Sequence, residues 1–280
     1  MDSFNYRFNK IFILKSLGES DTYADDLYYE TIEPCCEKYG LATEHPIEIF
    51  DTFDWDKAID QICNDEHQYP LVHIEMHGDD VKGLKLRLGD YISWSKVIED
   101  LTRINVRSEF NLIVTMAVCY STMNAYCISM VKKPAPYLFS VTTKIEVLGK
   151  DTYQIFSVFF KELIETQELY QALKCVANKH PELAEQMDIL AVPFLFENTF
   201  KAYADSYRDA EVIKQGYYKA LPEVQDHEMT RKEFEQYRDA FVKYYAPLAN
   251  QKYRDFRDIF FMFDKYPQNR NRFRLADTVF

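Results

Sequence analysis

The stretch Leu112-Ile-Val-Thr-Met-Ala-Val118 has no polar face. A strand wetted on one side alternates apolar and polar residues, whereas a strand covered on both sides reads as a continuous apolar run. The run therefore predicts a central strand of a parallel sheet, and similar short runs recur along the first part of the chain. They are Lys10-Ile-Phe-Ile-Leu14, Ile47-Glu-Ile-Phe50, Leu71-Val-His-Ile-Glu-Met76 and Tyr137-Leu-Phe-Ser-Val141. Between them lie helical stretches: Asp21 to Tyr39, which Asp21 can cap and Gly40 can end, Asp54 to Cys63, Ser93 to Ile104, and a helix from Ser121. Leu84 to Tyr91 is hairpin-like, and Asp151 to about Lys179 reads as one long amphipathic helix or two. Such alternation predicts an α/β fold, a mostly parallel sheet flanked by helices, whose chemistry sits at the carboxyl ends of the strands.

After about residue 180 the pattern turns helical, with Tyr237, Phe241, Tyr244 and Tyr245, then Phe256, Phe260 and Phe263, at helical intervals. The reading is a core over 1–180 and an α-helical C-terminal extension over 181–280, packed by its own rings.

Charge and glycine content exclude several functions. Net charge is −12, and residues 1–110 hold 23 acidic against 11 basic residues. That argues against nucleic acid as a partner, because a phosphate-tracking surface needs clustered Lys and Arg. Only 7 glycines occur, with no G-x-G-x-x-G, and after Gly78 to Gly83 comes Leu84 where a P-loop requires Lys. No apolar run reaches the ~20 residues of a membrane span, and MDSFNYRFNK is unlike a signal peptide. The expectation is a cytoplasmic protein, with no membrane association, whose six cysteines are reduced thiols.

Two strand ends carry chemistry. Leu71 to Met76 runs into His77-Gly78, placing a histidine where a buried strand emerges, before a glycine whose backbone can approach a ligand. The central run ends in Cys119, followed by Tyr120-Ser121 and a helix start, a setting that favours the nucleophilic form of a thiol. On neighbouring parallel strands, His77 and Cys119 would share one sheet edge, as a thiol nucleophile and its proton-transfer partner.

His77-Gly78 ending one apolar strand and Ala117-Val-Cys119-Tyr-Ser121 ending the next, 42 residues on, resemble the dyad of caspase-like (clan CD) cysteine peptidases, including the bacterial CHAT-type members. The segment Leu86 to Trp94, with its Gly89-Asp-Tyr-Ile-Ser-Trp94 turn, resembles the insertion between those strands in CHAT-type domains. Tyr137 to Val147 with the helix from Asp151 looks like their last core strand and helix. The resemblance covers about residues 5 to 180. It implies a cysteine endopeptidase acting on a protein or peptide substrate, with Cys119 as nucleophile and His77 as proton donor to the leaving amine. It also implies an oxyanion hole of the Gly78 and Cys119 backbone N–H groups, and no metal or cofactor. Many CHAT-type proteins resemble effectors of anti-phage defence regulated by a partner, which makes the C-terminal extension a candidate contact for an activating or inhibiting partner. The chain departs from the family at Ala117 and Val118, where caspases keep a glutamine and metacaspases an acidic residue. Lys144 and Glu146 are candidate substrate-pocket residues of opposite preference, and the choice between them stays open.

Other readings compete. A catalytically silent scaffold would keep the sheet without a reactive thiolate. A metal-dependent hydrolase could use His73, Glu75 and His77, which share a strand face by the period-2 rule, although a central strand would bury the first two. Cys63, Cys127 and Cys175 read as core residues, and Cys35-Cys36 point apart on a helix. His45, His67, His180 and His227 read as solvated histidines. The acidic series Asp21, Asp25, Asp26, Glu30, Glu33 and Glu37 reads as a solvated helix face. Lys265, Arg270, Arg272 and Arg274 could lie across this acidic front and hold the peptidase latent.

Overall fold

The computed structural model describes residues 6–18, 21–130, 132–144, 146, 148–220, 229–273 and 275–279. They divide into two compact units at Val192/Pro193, with residues 130–133 belonging to the second.

The first unit is built on a mixed, mostly parallel sheet. β1 (Lys10–Ser16) pairs in parallel with the short β2 (Ala42–Thr43) and β3 (Ile47–Glu48) on one side and with β4 (Pro70–Asp79) on the other. A hairpin of β5 (Gly83–Lys85) and β6 (Tyr91–Ile92) extends β4. β7 (Ile113–Ala117) lies parallel between β4 and β8 (Phe139–Thr143), and every one of its residues is buried, as its unbroken apolar run requires. The last strand, β9 (Met187–Ala191), closes the order β2-β1-β4-β7-β8-β9 and runs antiparallel to β8.

β9 corrects the expected boundary at residue 180, because the sheet-bearing unit runs on to Val192. Asp188 interrupts the apolar run of this five-residue strand, and the hydrogen bonds to β8 that define it are long-range.

Helices flank the sheet. The first helical stretch starts at Tyr23, with Thr22 at its N-cap and no capping side-chain bond, so Asp21 does not cap it. It comprises α1 (Tyr23–Leu27), a π-helical stretch Tyr28–Ile32, and α2 (Glu33–Tyr39), ending at left-handed Gly40. Pro34 accounts for the widened turn, since it has no N–H to close the ordinary bond to Glu30. α3 (Thr52–Asn64) begins at Asp51, whose carboxylate accepts from the N–H groups of Phe53 and Asp54. α4 (Trp94–Arg107) begins at Ser93, and Trp55 Nε1 donates to Asp100 Oδ2 at 2.8 Å to join the two helices. The expected helix from Ser121 is only a 3-10 stretch, Ser121–Cys127. A helix dipole behind Cys119 therefore has little length to build on. Left-handed Gln167 splits the long amphipathic segment into α5 (Gly149–Thr166) and α6 (Leu169–Lys179), and α7 (Pro181–Ala184) leads into β9.

The second unit carries α8 (Val192–Ser206), α9 (Ala210–Ala220), α10 (Arg231–Phe260) and α11 (Asn269–Arg272). Its core is aromatic: Phe196 stacks on Phe260 and meets Phe261 edge-on, each at 5.1 Å, and Tyr207 stacks on Tyr245 at 5.4 Å. Within the unit, Arg270 pairs with Asp258 at 2.6 Å and Arg272 Nη1 donates to Asn269 Oδ1 at 2.9 Å. Arg274 and His227 lie outside the described residues. Among the described residues, no helix is long and apolar enough to cross a membrane.

Candidate active site

β4 and β7 run side by side in the same direction, and their parallel register ends at Glu75↔Ala117. β4 then continues through His77 and Gly78, paired antiparallel with Lys85 and Leu84 of β5, while the chain leaving β7 turns at Cys119 and Tyr120. His77 is exposed and Cys119 half-buried. Both line one small cleft of about 50 Å³, together with Leu17, Asp21, Glu75, Ala117, Gly149 and Thr152. The two strand ends touch at Gly78. A Cβ there would lie 2.1 Å from the Cys119 carbonyl oxygen and 2.7 Å from Val118 Cγ1, so glycine is required for a close approach of two backbones.

The turn that carries Cys119 is tied to β8. Tyr120 has φ 58°, an uncommon left-handed conformation for a residue with a side chain. The Thr143 hydroxyl donates to the Val118 carbonyl. Ser121 Oγ accepts from Thr143 N–H at 2.9 Å and lies 3.3 Å from the Thr143 carbonyl oxygen as its donor. Asn124 donates to the Ser121 carbonyl, and its Oδ1 accepts from Tyr137 O–H at 2.6 Å. Ser121, Asn124, Tyr137 and Thr143 are wholly buried, and burial pushes the Tyr137 hydroxyl far above its ordinary range, so it stays protonated as a donor. Sequence reasoning missed this network. Its only visible trace is a tyrosine and three small polar residues next to apolar runs.

His73 lies beneath the site and Glu75 in its lining, and the two do not form a metal set with His77. His73 is fully buried, with Nδ1 2.8 Å from Thr115 Oγ1 on the neighbouring strand and its ring edge-on to Phe156 at 4.8 Å. Its Nε2 is 3.4 Å from Glu75 Oε2, outside hydrogen-bond geometry. The imidazole thus spends its contacts on Thr115 and the rings of α5, and among the described residues no three His, Cys, Asp or Glu side chains gather into a metal-binding set.

Lys144 and Glu146 part ways. Lys144 Nζ donates to the Glu185 carbonyl at 3.2 Å and lies 3.9 Å from Asp188, on the β9 side and away from the cleft lining. Glu146 Oε1 accepts from Tyr120 O–H at 3.1 Å, and this bond raises the Tyr120 hydroxyl above its ordinary range. Of the pair, Glu146 alone is tied to the Cys119 turn, and neither lines the cleft. The six cysteines are free thiols. Burial pushes Cys36 up to about 12, and burial also raises Cys35 and Cys63, so these three are poor nucleophiles near neutral pH. Neither a comparison with protein-family models nor a search of curated proteins gives a match.

Proposed function

We propose that the protein is a caspase-like cysteine endopeptidase. Cys119 Sγ attacks the scissile carbonyl, His77 protonates the departing nitrogen, and water then hydrolyses the thioester. The backbone N–H groups of Gly78 and Cys119 are assigned to the oxyanion, where each donor typically lowers the barrier by ~3 to 4 kcal/mol. The observation that carries this reading is the meeting of the two strand ends: His77 and Cys119 line one cleft, and Gly78 packs on the Cys119 carbonyl. A protein or peptide segment is the substrate class, and no step needs a metal or cofactor. The small volume of the cleft, about 50 Å³, favours one competing reading, a catalytically silent scaffold on the same fold.

Alkylation separates the two. Iodoacetamide labelling of each cysteine, followed by peptide mass spectrometry between pH 5 and 9, is expected to find Cys119 reacting first near neutral pH and more slowly in His77→Ala. Equal rates for Cys119 and Cys127 in the wild type would favour the scaffold.

A further inference from the structure

Cys119 sits in a turn that its own residues do not favour. Val118 to Ser121 close a four-residue turn through a bond from Ser121 N–H to the Val118 carbonyl at 3.2 Å, and Tyr120 takes the third position at φ 58°. Glycine or asparagine usually occupies a turn position that needs positive φ, and a larger residue persists there only where its surroundings over-determine the backbone. Thr143 supplies that constraint. Its hydroxyl donates to the Val118 carbonyl, and its N–H donates to Ser121 Oγ at 2.9 Å, so one residue of β8 grips both ends of the turn. Val118, Ser121 and Thr143 are all buried, which strengthens these bonds by keeping water from competing for them.

The bond to Val118 has a second consequence. A peptide unit is planar and trans, so its carbonyl and the N–H that follows point in opposite directions. The Val118 carbonyl and the Cys119 N–H belong to one such unit. Because β7 lies between β4 and β8, a carbonyl turned to Thr143 on β8 sends the Cys119 N–H towards β4. Gly78 lies on that side, against Val118 Cγ1 and the Cys119 carbonyl, and its N–H is the other donor assigned to the oxyanion. Hydrogen bonds from Thr143 and Ser121 converge on the Val118 carbonyl, and bonds accepted there polarise the amide and make its N–H a stronger donor.

We infer that Thr143 is a positioning residue for the oxyanion hole, its hydroxyl setting the direction of the Cys119 N–H without touching substrate. The inference rests on the cysteine-peptidase reading above and names the residue that keeps one of its two oxyanion donors in place.

The test compares two reactions at one sulfur. With p-nitrophenyl acetate, Cys119 Sγ adds to the acetyl carbonyl, the thiol proton passes to His77, and the resulting oxyanion collapses by breaking the C–O bond, which releases p-nitrophenolate and leaves acetyl-Cys119. With iodoacetamide, Sγ displaces iodide in one step and no oxyanion arises. Both rates are followed at each cysteine of the full-length protein by peptide mass spectrometry, with thermal unfolding to establish that each variant is folded. T143V keeps the shape and loses the donor, and acetylation of Cys119 is expected to fall at least ~10-fold relative to its alkylation, a part of the about 10²–10³ that removing a whole oxyanion donor costs. T143S keeps the hydroxyl and is expected to restore the wild-type ratio. T143C, whose S–H is a weak donor, is expected to fall between them and carries the test if T143V does not fold. An unchanged ratio in T143V and T143C, or acetylation and alkylation falling in step, overturns the role of Thr143 while leaving the dyad standing. Failure of the peptidase reading looks different: in the wild type, Cys119 then reacts with neither reagent faster than Cys127, and His77→Ala alters neither rate. That result removes both claims.

Discussion

Gly78 lies against the Cys119 carbonyl so closely that a methyl group on its Cα would sit 2.1 Å from that oxygen. The nearest obstacle is the backbone of the turn itself, with the Val118 side chain next, 2.7 Å away at Cγ1, so rotating a side chain does not relieve the clash. Gly78→Ala must therefore push β4 and the Cys119 turn apart. The expected result is a loss of ~1 to 3 kcal/mol of stability from overpacking and a fall of ~100-fold in peptide cleavage, the scale of an ångström of misplacement at a reacting group. Thermal unfolding with a fluorogenic peptide assay checks it; a variant as active as the wild type would separate Gly78 from the site.

Tyr137 acts at one remove. Its hydroxyl holds Asn124 Oδ1, and Asn124 in turn holds the Ser121 carbonyl two residues beyond Cys119. Tyr137→Phe keeps the ring and leaves a buried amide oxygen without that donor, which costs ~1 to 3 kcal/mol in urea unfolding. If the network positions the thiol, kcat falls while KM is kept, and Cys119 alkylation slows with it. Lost stability with unchanged kcat would make Tyr137 purely structural.

These two residues mark how far the sequence can be read. β4 and β7 were visible because covered strands are continuously apolar, and the place of His77 and Cys119 at their ends followed from chain direction alone. Thr143 and Tyr137 act on the Cys119 turn from a different strand and its approach, and a bond between hydroxyl and carbonyl across some twenty residues leaves no local pattern. Asp21 reads as a helix cap because aspartate before a helical run usually is one; here the helix starts at Tyr23 without a capping side chain. β9 failed for a simpler reason, since a short edge strand with polar positions has the same composition as a helix end.

The pair Lys10–Asp65 sets part of the acid stability. Lys10 Nζ lies 2.7 Å from Asp65 and 3.2 Å from Glu44, and both it and Asp65 are largely covered. Burial pushes the Asp65 carboxyl up, but hydrogen bonds from Lys10 and from the His67 N–H outweigh it and hold the group below its ordinary value. A depressed carboxylate contributes stability above its unfolded pKa of about 3.9 and loses it as pH falls through the lower folded value. Burial lowers Lys10 in the same way, and its bonds to Asp65 and Glu44 outweigh that and raise it, so its share persists until pH rises above about 10. Lys10→Met is therefore expected to cost ~1 to 3 kcal/mol in urea at pH 7 and to cost much less near pH 3. An equal penalty at both pH values would show that the lysine stem, not its charge, carries the effect.

Phe196 offers a test of whether the second unit acts on the chemistry. Its ring is wholly buried among Phe200, Tyr253, Phe260 and Phe261, with centroids 4.7 to 5.6 Å away. Phe196→Ala opens a cavity at the centre of that aromatic core, and ~3 to 5 kcal/mol of local stability is expected to go with it, read as faster hydrogen exchange along α10. Arg270 and Arg272 have partners within this same unit, Asp258 and Asn269, and a role confined to it predicts no change at Cys119 when it loosens. Cys119 should then alkylate at the wild-type rate in a protein whose α10 exchanges freely. If alkylation instead accelerates in step with exchange, the helical unit restrains the thiol, and the latent-peptidase arrangement expected from the charge pattern becomes the better account.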